Sequence, residues 1–87
     1  MTNKEEYEKV FACLDCGVNT GDIGEYYMVA EHVWHQTGLG THDGMLCIGC
    51  LEARIGRRLA NVDFSHAPVN VIGHKSIRFQ NRFGEGV

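Results

Sequence analysis

At 87 residues, 44% hydrophobic and 22% charged, the chain has the composition of one small globular domain. A chain this short buries only about 60–65% of its unfolded surface, so its core is marginal unless a metal or disulfides staple it. The net charge of −3 excludes a polycation that coats nucleic acid with its whole surface, and no apolar run approaches the roughly 18 residues of a membrane span.

The charge is unevenly spread. Residues 1–46 carry eight acids and two lysines, net −6, whereas residues 47–87 carry six bases and three acids, net +3. An acidic half beside a basic half suits self-association or a protein partner, and the basic half offers a face to nucleic acid. The opening segment MTNKEEYEKV lacks the apolar centre of a signal peptide, so a cytoplasmic setting with reduced thiols is expected, and no membrane partner.

In chain order, residues 3–11 predict a short helix, capped by Thr2 or Asn3, with Tyr7, Val10 and Phe11 on one face. The run CLDCG, residues 13–17, is a tight turn in which Gly17 takes positive φ. Residues 25–34, EYYMVAEHVW, are rich in aromatic and β-branched side chains and predict a strand, interrupted near Glu31. HQTGLGTHDG, residues 35–44, predicts the connection of a hairpin, with Met45 and Leu46 as the returning strand. From Ile48 to about Ala60 the period becomes helical, with Ile48, Leu51, Ile55 and Leu59 as the apolar stripe and Gly56 inside the helix at a cost of about 1 kcal/mol. Tyr27, Val29 and Trp34 are expected to pack on that stripe. Val69, Val71 and Ile72 suggest a short strand, and residues 80–87 a frayed tail.

The chemistry lies in the cysteines. Cys13-x2-Cys16 and Cys47-x2-Cys50 are separated by thirty residues. Zinc takes four thiolates in a tetrahedron at about 2.3 Å, and a two-residue gap lets one turn offer two sulfurs to one ion. The first pair sits on a glycine-terminated turn, and the second opens a helix whose positive end favours thiolate. One structural Zn2+ is the cofactor so implied, although iron also accepts four thiolates. Two other uses of four cysteines remain: a thioredoxin-type dithiol, which needs one reactive pair at a βα junction, and two disulfides in a secreted chain. Structural zinc contributes about 10–16 kcal/mol in small finger peptides, as much as a domain's whole net stability of about 5–15. The metal-free chain is therefore expected to unfold.

The motifs CLDCG and LCIGCLEARIGRRL, in this order, resemble the treble-clef zinc finger over residues 13–60, and the chain is similar in character to small zinc-finger proteins of bacteriophages and their hosts. The resemblance implies an α+β fold: a treble-clef core over 13–60 with a central β-hairpin, one main helix and a short N-terminal helix, within a single domain of residues 1–87 whose extension runs from 61 to 87. A zinc ribbon is the neighbouring possibility, but it wants a strand after Cys50. Many treble clefs bind nucleic acid. Arg54, Arg57 and Arg58, extended by Lys75, Arg78 and Arg82, are the candidate contacts, since arginine grips phosphate with two hydrogen bonds. The plainer reading is a solvated face paired with Glu52 or with the acidic half.

The leading expectation is a zinc-stabilised, non-catalytic module that binds nucleic acid or a nucleic-acid-processing protein. The alternatives are a protein adaptor and a metal-dependent nuclease of the HNH type, which the fold resemblance also raises. For the last, His66, Asn70 and His74 form one candidate cluster and His35, His42 and Asp43 another, but Pro68 interrupts any helix through the first. No catalytic residue is assigned. No phosphate-cradling glycine loop is present, and neither Ser65 nor Ser76 sits in a nucleophile elbow.

Overall fold

A computed structural model of the chain describes residues 11–40 and 43–84. The helix expected over 3–11 lies outside them, apart from Phe11.

The first turn is the cysteine knuckle. Cys13 donates its amide to Val18 O (2.8 Å) and accepts that of Gly17 (2.9 Å). Gly17 closes the loop at φ 82°, as its sequence suggests. Residues 25–30 then run extended, with Glu25, Tyr27 and Val29 turned into the core in strict alternation. The alternation expected of a strand is present there, but the segment pairs only through the isolated Val29–Phe64 bridge and forms no strand. At Glu31 the chain turns into a helix, α1 (Glu31–Thr37), which buries Val33, Trp34 and Thr37 and ends at Gly38 with φ 87°. Its buried residues Val33 and Trp34 lie four and three positions before Thr37, a helical spacing that overrides the β-propensity of Val33 and Trp34.

The predicted central hairpin is therefore absent, and the α+β class with it. Among the described residues there are three α-helices and no strand, only isolated bridges Ala12–Asn19, Cys13–Met45 and Val29–Phe64. Met45 runs parallel to the knuckle, its carbonyl accepting Leu14 N–H (2.8 Å), instead of antiparallel to residues 25–30. Leu46 meets that segment through a side chain: its carbonyl accepts the Tyr27 hydroxyl (2.7 Å). Val29 pairs with Phe64 from the far end of the chain.

Helix α2 (Ile48–Ile55) begins directly after Cys47 and stops five residues before the predicted end. Gly56, expected inside the helix, caps it at φ 74° and donates to Glu52 O (2.9 Å). The Glu52 carboxylate then accepts the Leu59 amide (2.8 Å), turning the chain so that Leu59 still reaches the core. Beyond it come two 3-10 turns, Asn61–Asp63 and Pro68–Asn70, the second where a strand was expected. Asn70 is buried and clasps the extended segment: its Oδ1 accepts Met28 N–H and its Nδ2 donates to Met28 O, both at 2.8 Å.

Residues 80–84, read from sequence as tail, belong to a third helix, α3 (Ile77–Gly84), which buries Phe79. Phe79 lies 5.2 Å from the Phe64 ring and stacks on Phe83 at 5.3 Å, with Tyr27 beside them. The expected packing of Tyr27, Val29 and Trp34 with Leu51, Ile55 and Leu59 in one core is present. Segment 74–76 crosses residues 24–25 closely, and Gly24 permits this: a Cβ there would lie 2.6 Å from Ser76 N. No helix among the described residues is long and apolar enough to cross a membrane.

Candidate metal centre

The knuckle supplies Cys13 and Cys16, and α2 supplies Cys47 as its N-cap and Cys50 in its first turn. The Met45–Leu14 hydrogen bond and the Cys13–Met45 bridge set these two segments side by side. Residues 31 positions apart in sequence thus meet: the four Sγ atoms lie within 4.8 Å of one another, and Cys16 Sγ is 3.8 Å from Cys47 Sγ. A tetrahedron with metal–sulfur bonds of about 2.3 Å has edges of about 3.8 Å, whereas a disulfide needs about 2.05 Å. All four cysteines are free thiols. Cys13 and Cys47 are buried, Cys50 is half-buried and Cys16 is at the surface, so the cage opens on one side.

The electrostatics suit a cation. Burial works to raise the Cys13 pKa, but the backbone amides of Cys47, Cys16 and Asp15, together with the Cys16 thiol, bring it down to about 6. Burial pushes Cys47 up, and burial plus the neighbouring sulfurs push Cys50 well above the ordinary thiol range. Cys13 gives up its proton readily, and Cys47 and Cys50 resist joining it, as expected of acids sharing one small volume. A dication at their centre removes that resistance. Four sulfurs within 4.8 Å of one another, two of them at the opening turn of a helix, fit a thiophilic divalent metal.

Comparison of the chain with protein-family models, curated proteins and solved structures finds no match. The site's meaning rests on its own geometry.

The basic residues are distributed over three segments and are engaged within the molecule. Arg54, on α2, grips Asp15 with Nε and Nη2 (2.8 and 2.6 Å) and donates Nη1 to Thr37 O (3.0 Å). Arg57, past the helix end, grips Asp63 at 2.7 and 2.9 Å. Arg58 adds positive potential at Glu52. Lys75 donates to Ile72 O (2.9 Å) and stands over the Phe79 ring. Arg78 grips Glu25 at 2.9 and 2.7 Å, and Arg82 grips Glu52 at 2.8 and 3.1 Å. Two of these pairs join the acidic half of the sequence to the basic half. Only Arg54 of the trio at 54–58 lies on the helix, because Gly56 ends it.

No histidine among the described residues joins a group able to hold a metal. His66 and His74 are exposed, while Asn70 between them is spent on Met28 and on Ser65 O. His35 faces Glu31 at 3.8 Å, Asp43 holds Gly40 N–H, and His42 lies outside the described residues. The residue that sequence reasoning missed is Glu25. It is buried, and it accepts Ile48 N–H at the start of α2 (3.0 Å), the Ser76 hydroxyl (2.9 Å) and the Arg78 fork. A signal existed: Glu25 shares the alternating face of Tyr27 and Val29.

Proposed function

We propose that the chain is a binding module organised by one structural zinc ion, held by Cys13, Cys16, Cys47 and Cys50, and that it performs no chemistry of its own. The observation that carries this reading is the convergence of four free sulfurs from two separate segments to within 4.8 Å of one another. Zinc would supply a cross-link between the knuckle and α2, and the chain's own residues supply the cage and the buried contacts around it. The knuckle and the helix opening on a cysteine are what the chain shares with a treble clef; the hairpin is not.

A protein partner suits this surface better than nucleic acid does. Arg54, Arg57 and Arg78 each have two nitrogens committed to a carboxylate, so a phosphate must displace an existing charged pair before it gains one. Large apolar side chains, meanwhile, face solvent at Val71, Ile72 and Ile77, three residues within a short stretch. Contact with DNA or RNA through Arg54, Arg57, Arg58, Lys75 and Arg78 is the competing reading.

Metal analysis of protein purified without added metal tests the first claim, with one zinc per chain expected. Iron at the same stoichiometry rejects zinc, and sub-stoichiometric metal rejects the centre. Titration with mixed-sequence oligonucleotides at low and moderate salt tests the second. No saturable binding is expected, and tight binding that weakens steeply with salt reverses the choice of partner.

A further inference from the structure

Arg78 stands on α3, far along the chain from the cysteines, yet its guanidinium lies on the opening turn of α2. Its Nε and Nη2 are both taken by Glu25, whose Oε1 also accepts the Ile48 amide. The carboxylate thereby fixes the plane of the guanidinium against the residue that follows Cys47. The remaining nitrogen, Nη1, rests on Gly49, 2.8 Å from the point where a Cβ on that residue would stand. Gly49 lies between Cys47 and Cys50, and only a residue without a side chain leaves room there for the cation. Arg78 is held protonated first by Glu25, with the Cys47 sulfur adding to the effect.

We propose that Arg78 is an outer-shell positioning residue of the metal centre: Glu25 orients its guanidinium over Gly49, where its charge offsets part of the negative charge of the Cys47 side of the cage. The proposal rests on the zinc reading above. Four thiolates around a dication carry a net charge of about −2, which a cation placed by a neighbouring element partly balances. Glycine inside a helix otherwise weakens it relative to alanine, so its presence at position 49 has a reason in this contact. The same device ties the end of the chain to its metal-binding core.

The test uses the full chain loaded with cobalt(II), whose sulfur-to-metal charge-transfer band reports the energy of the sulfur lone pairs, and loaded with zinc for chelator competition. Arg78→Met is expected to move the band to lower energy and to weaken zinc binding roughly tenfold, the lower end of what outer-shell partners contribute. Arg82→Met removes a guanidinium from the same helix that grips Glu52, away from Gly49, and is expected to leave the band in place. Gly49→Ala displaces Nη1 without removing any charge and is expected to shift the band in the same direction as Arg78→Met. It carries the test if Arg78→Met does not fold. An unmoved band in Gly49→Ala, or equal shifts in Arg78→Met and Arg82→Met, overturns the role of Arg78 while leaving the metal reading intact. A wild-type chain that takes up neither metal overturns both.

Discussion

Between Phe11 and Ile55 four cysteine sulfurs from two segments come within 4.8 Å of one another, whereas from Leu59 to Gly84 the chain is held by phenylalanines and arginine–carboxylate forks. The first region has little regular structure outside its two helices, and its knuckle is held by a handful of backbone hydrogen bonds. The second packs Phe64, Phe79 and Phe83 edge to face and in a stack against Tyr27. Glu25 and Asn70 join the two, one through Arg78 and Ser76, the other through Met28. The contrast shows how a small chain divides its staples: four clustered sulfurs where two loops must meet at a point, aromatic burial and charged forks where a terminal segment must be laid across a core.

That comparison is most sharply broken by taking the metal away. Chelation, or Cys47→Ser, is expected to abolish the cooperative thermal transition, because structural zinc contributes as much as the net stability of the whole domain. A metal-free chain that keeps a sharp melt seen by Trp34 fluorescence would show that the aromatic region suffices. The next largest effect falls on that region. Phe79→Ala removes a ring that is 2% exposed and is expected to cost about 3–5 kcal/mol in denaturant unfolding of the zinc-loaded protein. One zinc per chain is still expected to bind in it.

The smallest effect sharpens the role of the forks. The Arg57 guanidinium, followed by the Ala60 amide, holds the Asp63 carboxyl below its ordinary value against the opposing effect of burial. A depressed folded pKa means that the contribution is fully present above the unfolded value, near 3.9, and is lost as pH falls through the folded one. Arg57→Met is expected to cost about 1–2 kcal/mol at neutral pH, since the guanidinium is half exposed and screened. The difference from wild type should shrink as pH falls below the unfolded value and vanish once it is below the depressed folded value of Asp63. Protons compete with metal for the sulfurs in both proteins, so only the difference between them reads the fork. A difference constant with pH would assign the loss to packing alone.

Much of the site was legible in the residues. Two Cys-x2-Cys pairs and Gly17 specify a knuckle and four soft ligands by local geometry alone, and the stripe of Ile48, Leu51 and Ile55 specifies the helix that carries the second pair. The strand predicted over 25–34 does not form: residues 25–30 keep its alternating burial without joining a sheet, and 31–37 are helix. Val33 and Trp34 have strand-like side chains, but their spacing with Thr37 serves a helix, and no neighbouring segment was placed to pair with them. The arginines were visible as a cluster, and pairing with Glu52 or the acidic half was the plainer reading of them; that the partners are Asp15, Glu25, Glu52 and Asp63 was not legible, because nothing local says which carboxylates come to meet them.

What the sequence determined by itself is therefore what acts over a few residues: turn chemistry at Gly17, metal-ligand spacing, and apolar periodicity after Cys47. What only the tertiary structure decided is what joins residues distant along the chain. That includes the parallel contact of Met45 with the knuckle in place of a hairpin, the use of Gly56 as a cap, and the laying of α3 over the core through Arg78, Arg82 and Phe79. The physical reason is that a turn or a cap is chosen by the energies of one or two residues, whereas a partner 30 to 50 positions away is chosen by which segments the whole core can bury together.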